Sequence, residues 1–169
     1  MPLPEEDTYN AVENLFTQLN AIHQVFSDPD ITSIRLVLNL EKMVINETQR
    51  AYTYLNLYGY PVDSAIVNRV MPPDLDHPYF HEWKKSQKKY MKDVKNLFNN
   101  IPIHEAPLVS KEVLGKDALS EFGKALFSDK DPAQIFYKGK PYEIVKEGEA
   151  YSIELKLPFV SKKEVNLHQ

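Results

Sequence analysis

The chain has no cysteine, and it has only five glycines, at positions 59, 115, 123, 139 and 148. The lack of cysteine excludes a disulfide scaffold, a thiolate zinc site and a cysteine nucleophile. Glycines so far apart form neither a G-x-x-x-x-G-K-S/T phosphate loop nor a G-x-G-x-x-G dinucleotide motif. The sequence also has no recognisable serine nucleophile elbow. We therefore predict no catalytic residue and no metal site within these 169 residues.

Long apolar runs and a strong excess of one charge are absent too. No run approaches the ~20 apolar residues that span a bilayer, and the first ten residues are polar and acidic, unlike a signal peptide. With 20 basic and 24 acidic side chains, the formal net charge is −4, which gives no electrostatic reason to bind nucleic acid. We expect a cytoplasmic protein without a nucleic-acid partner.

What is present is the composition of a folded globular protein, 43% hydrophobic and 26% charged. Apolar positions recur at the helical period in residues 5–26, 41–58, 78–99 and 116–127. Short apolar runs between these segments predict strands at residues 34–38, 65–68 and 101–104. The alternation of strands and helices predicts an α/β fold with three parallel strands. Asn39 suits the N-cap of the second helix, and Gly59 suits the left-handed residue that ends it.

The pattern changes near residue 131 and suggests a second unit. We assign residues 1–130 to the α/β domain and residues 131–141, which begin with Asp131-Pro132, to a linker. Residues 142–169 alternate polar and apolar side chains around a turn, which predicts a β-hairpin. This segment is too short for a core of its own, because domains below about 40 residues usually need disulfides, metal ions or oligomerisation to be stable. We interpret it as the truncated opening of a β-rich domain.

Polar side chains follow each predicted strand. Asn39 and Glu41 lie at the carboxyl end of the first strand, Asn68 and Arg69 at that of the second, and residues 104–107 at that of the third. In open α/β sheets, ligands bind outside the carboxyl ends of the strands. The amide of Asn68 offers the donor and acceptor that match an adenine base. The alternative, which this pattern favours by itself, is a turn asparagine that bonds to local backbone.

Other candidates have simpler interpretations. Glu47 and Arg50 are three apart on a predicted helix and form a surface ion pair. His77 and His81 have a spacing that can bind zinc, but His77 precedes a proline, which disfavours helical dihedrals there. In residues 78–99, Trp83 and Gln87 fall on the apolar side of the predicted helix, and we interpret Trp83 as a core contact. The lysines of that helix form a solvated face, with an anionic surface as the less favoured partner.

Three stretches together resemble one family. They are TSIRLVLNLEKMVINETQR at residues 32–50, YLNLYGYPVD at 54–63 and IVNRV at 66–70. The sequence is similar here to the anion-transporting ATPases, the arsenical pump-driving family, whose relatives include the ATPases that target tail-anchored membrane proteins. Two features depart from the pattern: Leu40 stands where the family usually has proline, and the family's metalloid-binding and zinc-binding cysteines are absent.

The resemblance implies the C-terminal half of a P-loop ATPase, without the phosphate loop, followed by the start of a small-heat-shock-like β domain. It places Asn68 at the adenine base, with Arg69, Pro107 and Leu108 beside it, and Glu41 near the nucleotide and a dimer interface. On this basis Asn68 is interpreted as a base-reading residue. ATP and magnesium are the implied cofactors of the full-length parent, and no tightly bound cofactor is expected on this chain, which alone should not hydrolyse ATP.

The resemblance also implies partners. For the full-length parent it implies a membrane pump subunit or a membrane-protein client. For this chain we expect a homodimer or higher oligomer on other grounds, because the edge of the parallel sheet and the apolar row of the hairpin need a partner. We expect residues 151–157 to be buried in that contact. The alternative is a free-standing, non-catalytic interaction module derived from the same fold.

Overall fold

The computed structural model describes residues 6–139, 142–148 and 150–155. Its helices are α1 (Glu6–Ser27), α2 (Lys42–Leu57), α3 (His81–Leu97) and α4 (Gly115–Phe127), and a short 3-10 turn at Pro78–Phe80 leads into α3. Its strands are β1 (Ile34–Asn39), β2 (Val62–Val70), β3 (Ile103–Pro107), β4 (Tyr142–Glu147) and β5 (Ala150–Leu155).

The strands β1, β2 and β3 form a parallel sheet in that order, which confirms the predicted α/β class. β2 is the central strand and begins at Val62, earlier than predicted. The prediction missed its first residues, which include Asp63 and Ser64, two polar side chains that are fully buried. These residues lack the apolar character by which the sequence pattern identifies a strand.

The core lies on one face of this sheet. There, side chains of α2 and α3 pack against apolar residues of the strands. Tyr52 from α2 and Phe98 just after α3 are among the large buried side chains on the helix side, and Leu38 of β1 and Val67 of β2 are among those on the sheet side. The rings of Tyr52 and Phe98 meet edge to face at 5.4 Å. Burial of each such side chain stabilises the fold by roughly 1.5–3 kcal/mol, before the loss of conformational entropy is subtracted.

The ends of α2 show one correct and one incorrect prediction. Gly59 adopts φ +75° just beyond the helix, and the Tyr60 N–H donates to the Leu55 carbonyl at 2.8 Å, as a Schellman end requires. Asn39 is not the N-cap, because it remains in β1. Glu41 holds the N-cap position with an extended backbone and without a capping bond from its side chain.

Helix α1 has an apolar side, as its periodicity predicts, but every described residue of the helix is exposed or partly exposed. Its large apolar side chains are between 46% and 66% exposed. At the carboxyl end of α1, the rings of His23 and Phe26 approach the Tyr60 ring. The helix therefore presents an apolar face that the described residues do not cover.

The predicted hairpin is present as the antiparallel pair β4 and β5, which begins after the segment assigned as a linker. Tyr151 and Ile153 of β5 are 67% and 64% exposed. Residues 140–141 and 156–169, with the rest of the predicted β-rich domain, lie outside the described residues.

Candidate functional site

The carboxyl ends of the three parallel strands border a cleft of about 450 Å³. One side of it is formed by the last residues of β1 and β2, by the residues just after these strands, and by Leu108 after β3. The parts from β1 and β2 onward contribute Asn39, Leu40, Glu41, Lys42, Asn68, Arg69 and Met71. The other side is a single helix, α3, which contributes Trp83, Ser86, Gln87 and Tyr90. Four of the five predicted site residues, Glu41, Asn68, Arg69 and Leu108, therefore border one cavity.

Asn68 lies in a bulge of the central strand. Val67 pairs with Glu105 and Val70 with Pro107, so β2 has one more residue than β3 over this interval. Arg69, inside the bulge, has φ +56°. Left-handed backbone is uncommon for a residue other than glycine, and it is found where the surrounding structure enforces it. Bulges re-aim side chains near functional sites, and this one lies at the cleft.

The end of β3 meets the same bulged segment. The Leu108 N–H donates to the Val70 carbonyl at 2.8 Å, which continues the pairing of β2 and β3 beyond Pro107. Leu108 reaches the cleft, whereas Pro107 is not among its lining residues and acts as the last strand residue before it.

The polar groups of the cleft are of both signs. Glu41 and Lys42 come from the start of α2, and Arg69 from the bulge. All three side chains are exposed, so solvent screens their interactions. The cleft thus combines an amide, charges at its rim, and an apolar and aromatic lining from Met71, Trp83 and Leu108.

Two residues of α3 were missed as site residues by the sequence analysis. Trp83, predicted to be a core contact, is 55% exposed and lines the cleft instead. Gln87 joins the bulged segment by two hydrogen bonds: its Oε1 accepts from the Met71 N–H at 3.0 Å, and its Nε2 donates to the Arg69 carbonyl at 3.1 Å. The sequence offered one signal of a special role for Gln87, which is that it is a polar residue on an otherwise apolar side of the helix.

His104 lies inside β3, as the strand predicted at residues 101–104 requires, but it is not at the carboxyl end of β3, where it was also predicted, and it does not line the cleft. Its ring contacts those of Phe127 and Phe136 at centroid distances of 5.2 and 4.7 Å. Burial lowers the pKa of His104 from its usual value, and the nearby charges of Lys130 and Arg35 lower it further. The prediction was wrong because the third strand begins and ends later than its apolar residues indicate.

The amino ends of β1 and β2 carry a second cluster of polar groups. The Arg35 guanidinium pairs with the Asp63 carboxylate through Nε to Oδ1 at 3.2 Å and Nη2 to Oδ2 at 3.3 Å. Asp63 also accepts from the Ser64 hydroxyl and the Phe136 N–H. Arg35 donates to the carbonyls of Pro132 and Gln134 as well. Because both charged groups are occupied by the protein itself, this cluster is structural.

The remaining candidates have local roles. Glu47 and Arg50 form the predicted surface pair at 3.5 Å. His81 pairs with Asp76 at 3.2 Å, while the His77 ring accepts from the Tyr79 N–H, so the two histidines serve different partners. Among the described residues, none of the helices has both the length and the apolar character that a membrane crossing requires.

Comparison with known proteins places these observations in one family. A model of the anion-transporting ATPases matches residues 1–128. The chain is 37% identical to a protein of Aquifex aeolicus named as an arsenical pump-driving ATPase, over 99% of this chain and 43% of that protein. It is 33% identical to one so named from Chlorobaculum tepidum, over 98% and 41%.

More distant relatives carry a different name. The chain is 29% identical to the ATPase get3 of Pyrenophora tritici-repentis, over 76% of this chain and 39% of that protein. The chain spans about two fifths of the length of the curated relatives it matches.

Proposed function

The chain belongs to the anion-transporting ATPase family, and from that membership we propose that it supplies the base-binding side of an ATP site. The proposal places the base in the cleft at the carboxyl ends of β1, β2 and β3. The observation that carries it is the position of Asn68, which borders this cleft in a bulge of the central strand. Ligands of open α/β sheets bind at this edge.

The chemistry of the cleft fits a purine base. Its volume of about 450 Å³ lies in the range of small-molecule sites, which are mostly apolar with a few placed polar groups. Met71, Trp83 and Leu108 offer the apolar and aromatic surface against which a base can stack. The Asn68 amide can accept from the N6 amino group of adenine and donate to N7. Guanine carries an acceptor at the position of N6, so this match favours adenine.

The phosphate side of the site requires other residues. Phosphoryl transfer needs a backbone cradle, a lysine and a magnesium ligand, and the 169 residues contain no phosphate-loop motif. We therefore propose that this chain alone does not hydrolyse ATP and does not hold ATP or magnesium tightly. Hydrolysis by the parent ATPase would use a phosphate loop joined to this part of the fold.

The relatives' names suggest the wider role. For the full-length protein we propose an ATPase that acts with a membrane pump subunit or a membrane-protein client, and for this chain we propose a homo-oligomer. The arsenical pump-driving and get3 ATPases support this proposal by similarity. The chain itself offers Glu41, exposed at the start of α2, as a residue near the interface between copies.

A second candidate function is a non-catalytic interaction module. It is favoured by α1, on which Leu15, Phe16 and Leu19 are all more than half exposed. Exposed apolar surface of this kind marks interaction sites in soluble proteins. Under this alternative the cleft would have no preference among nucleotides.

Trp83 allows a direct test, because it is the only tryptophan in the chain and lines the cleft. The chain would be titrated with ATP and with GTP at millimolar concentrations, and its fluorescence corrected for nucleotide absorption with a free tryptophan amide. We expect a saturable response at lower concentration for ATP than for GTP. Equal responses, or none, would reject the base site and leave the interaction module as the better account.

A further inference from the structure

The bulge that presents Asn68 is held by a residue outside the strand. The extra residue of a bulge interrupts the ladder of hydrogen bonds between neighbouring strands. Here the interruption falls between Val67 and Val70, and Arg69 within it adopts the left-handed conformation at φ +56°. Such a backbone persists only where its surroundings enforce it.

Gln87 of α3 provides two of those constraints with one side chain. Its Nε2 donates to the Arg69 carbonyl at 3.1 Å, and its Oε1 accepts from the Met71 N–H at 3.0 Å. The two bonds join positions on either side of Val70, whose own carbonyl accepts from the Leu108 N–H. The segment from Arg69 to Met71 is therefore held from α3 on one side and from the end of β3 on the other.

An amide is the side chain that can make both bonds, because it combines a donor and an acceptor on one carbon. Gln87 is also partly buried, so these bonds are less exposed to competition from water than those at the rim of the cleft. Asn68 immediately precedes Arg69. Its own backbone pairs with Asn39 of β1, and Gln87 holds the backbone on its carboxyl side through the Arg69 carbonyl.

We propose that Gln87 is a positioning residue that sets the orientation of Asn68 and thereby the base selectivity of the cleft. This inference rests on the function proposed above. It differs from a purely structural role, in which Gln87 would only attach α3 to the sheet and its loss would lower stability without changing selectivity.

Three variants separate these roles. Gln87→Leu has a similar size and loses both hydrogen bonds, whereas Gln87→Glu keeps an acceptor for the Met71 N–H and loses the donor to Arg69. Lys89→Leu is the matched control, because it makes a polar-to-leucine change on an exposed position of the same helix. The variants would be compared as the complete 169-residue chain, labelled with nitrogen-15.

The first readout is independent of nucleotide. We expect Gln87→Leu to accelerate hydrogen exchange of the Met71 amide about five- to tenfold, which corresponds to the loss of one hydrogen bond of about 1–1.4 kcal/mol. It should also shift or broaden the side-chain amide signals of Asn68. In Lys89→Leu both signals should match the unmodified chain. Unchanged Asn68 signals in Gln87→Leu would overturn the inference, whatever the nucleotide results show.

The second readout is the ratio of ATP to GTP affinity. We expect a loss of about five- to tenfold in this ratio for Gln87→Leu, an intermediate loss for Gln87→Glu and none for Lys89→Leu. A ratio retained in Gln87→Leu while the Met71 amide exchanges faster would show a structural role only and overturn the inference. A ratio of one in the unmodified chain would instead reject the proposed function, and the Asn68 signals would still decide whether Gln87 orients that residue.

Discussion

The two ends of the same parallel sheet differ in how their polar groups are used. At the amino end, Asp63 is fully buried and accepts from Arg35, Ser64 and Phe136, so its carboxylate is occupied within the protein. At the carboxyl end, Asn68 and Arg69 border an open cleft, and Trp83 is 55% exposed. Polar groups satisfied by the fold stabilise it, and polar groups facing a cavity remain available to a ligand.

The two ends of the sheet also differ in how exposed their aromatic residues are. Phe127 and Phe136 at the amino end stack at 5.9 Å, with the Arg35 guanidinium 4.9 Å from the Phe136 ring centroid. Together with the bonds to Arg35 and Asp63, this arrangement attaches residues 132–136, which lead toward β4, to the amino end of the sheet. Trp83 at the other end has part of its ring surface open to solvent, as a stacking surface for a ligand requires.

The largest expected effect is at the amino end. Replacing Asp63 by alanine would leave the Arg35 guanidinium without its carboxylate, and breaking a buried pair in this way costs about 3–5 kcal/mol. We expect the free energy of unfolding in urea to fall by that amount. Asp30→Ala is the control, because Asp30 pairs with Lys138 at an exposed position, where such pairs contribute roughly 0–1 kcal/mol. Similar losses for both variants would contradict the structural role of the Arg35–Asp63 pair.

An intermediate effect is expected at the carboxyl end, and in binding rather than in stability. Asn68→Ala removes the amide that pairs with adenine, so ATP binding should weaken by ~1–3 kcal/mol, while GTP binding changes little. The free energy of unfolding should change by less than about 1 kcal/mol, because the residue is only partly buried. Asn46→Ala, at an exposed position of α2, should alter neither quantity. Unchanged discrimination between ATP and GTP in Asn68→Ala would remove this residue from the site.

The smallest effect is a pH dependence that belongs to the amino end. The pKa of folded His104 is lowered from 6.5 by burial and by Lys130 and Arg35, with Asp63 acting in the opposite direction. Below about pH 6.5 the unfolded chain therefore binds more protons than the folded chain, and stability falls as the pH falls toward the lowered pKa. The slope for one group is at most about 1.4 kcal/mol per pH unit.

Urea unfolding between pH 7.5 and pH 5 would measure this slope. His104→Gln removes the titrating ring and should flatten the dependence, whereas His81→Gln, at an exposed ring paired with Asp76, should retain it. A slope that is the same in all three proteins would show that His104 does not cause it.

The sequence predicted what depends on local pattern. The apolar runs around Leu36 and Val67 identified their strands, and the glycine at position 59 identified the end of α2. It could not predict that β2 begins with buried polar residues, because Asp63 is satisfied by Arg35, 28 positions earlier in the chain. The same limit explains His104, whose surroundings come from α4 and from residue 136.

The candidate site divides in the same way. The position of Asn68 at a strand end followed from the order of strands and helices, and its interpretation as a base-reading residue from the family resemblance. The roles of Trp83 and Gln87 depend on how α3 lies against the bulge, which no spacing in the sequence encodes. Helical periodicity grouped both residues on the apolar side of α3, although Trp83 lines the cleft and Gln87 bonds to the backbone of the bulged segment.

The most direct test of the account is a map of which signals ATP perturbs in the nitrogen-15-labelled chain. We predict that millimolar ATP shifts the signals of the Asn68 side-chain amide, the Leu108 backbone amide and the Trp83 indole, because these three residues border the cleft. The backbone amide of Phe136 and the Arg35 Nε–H, which bond to Asp63, should stay in place. Shifts confined to the amino end, or an Asn68 amide that does not respond, would contradict the claim that the carboxyl end holds the base.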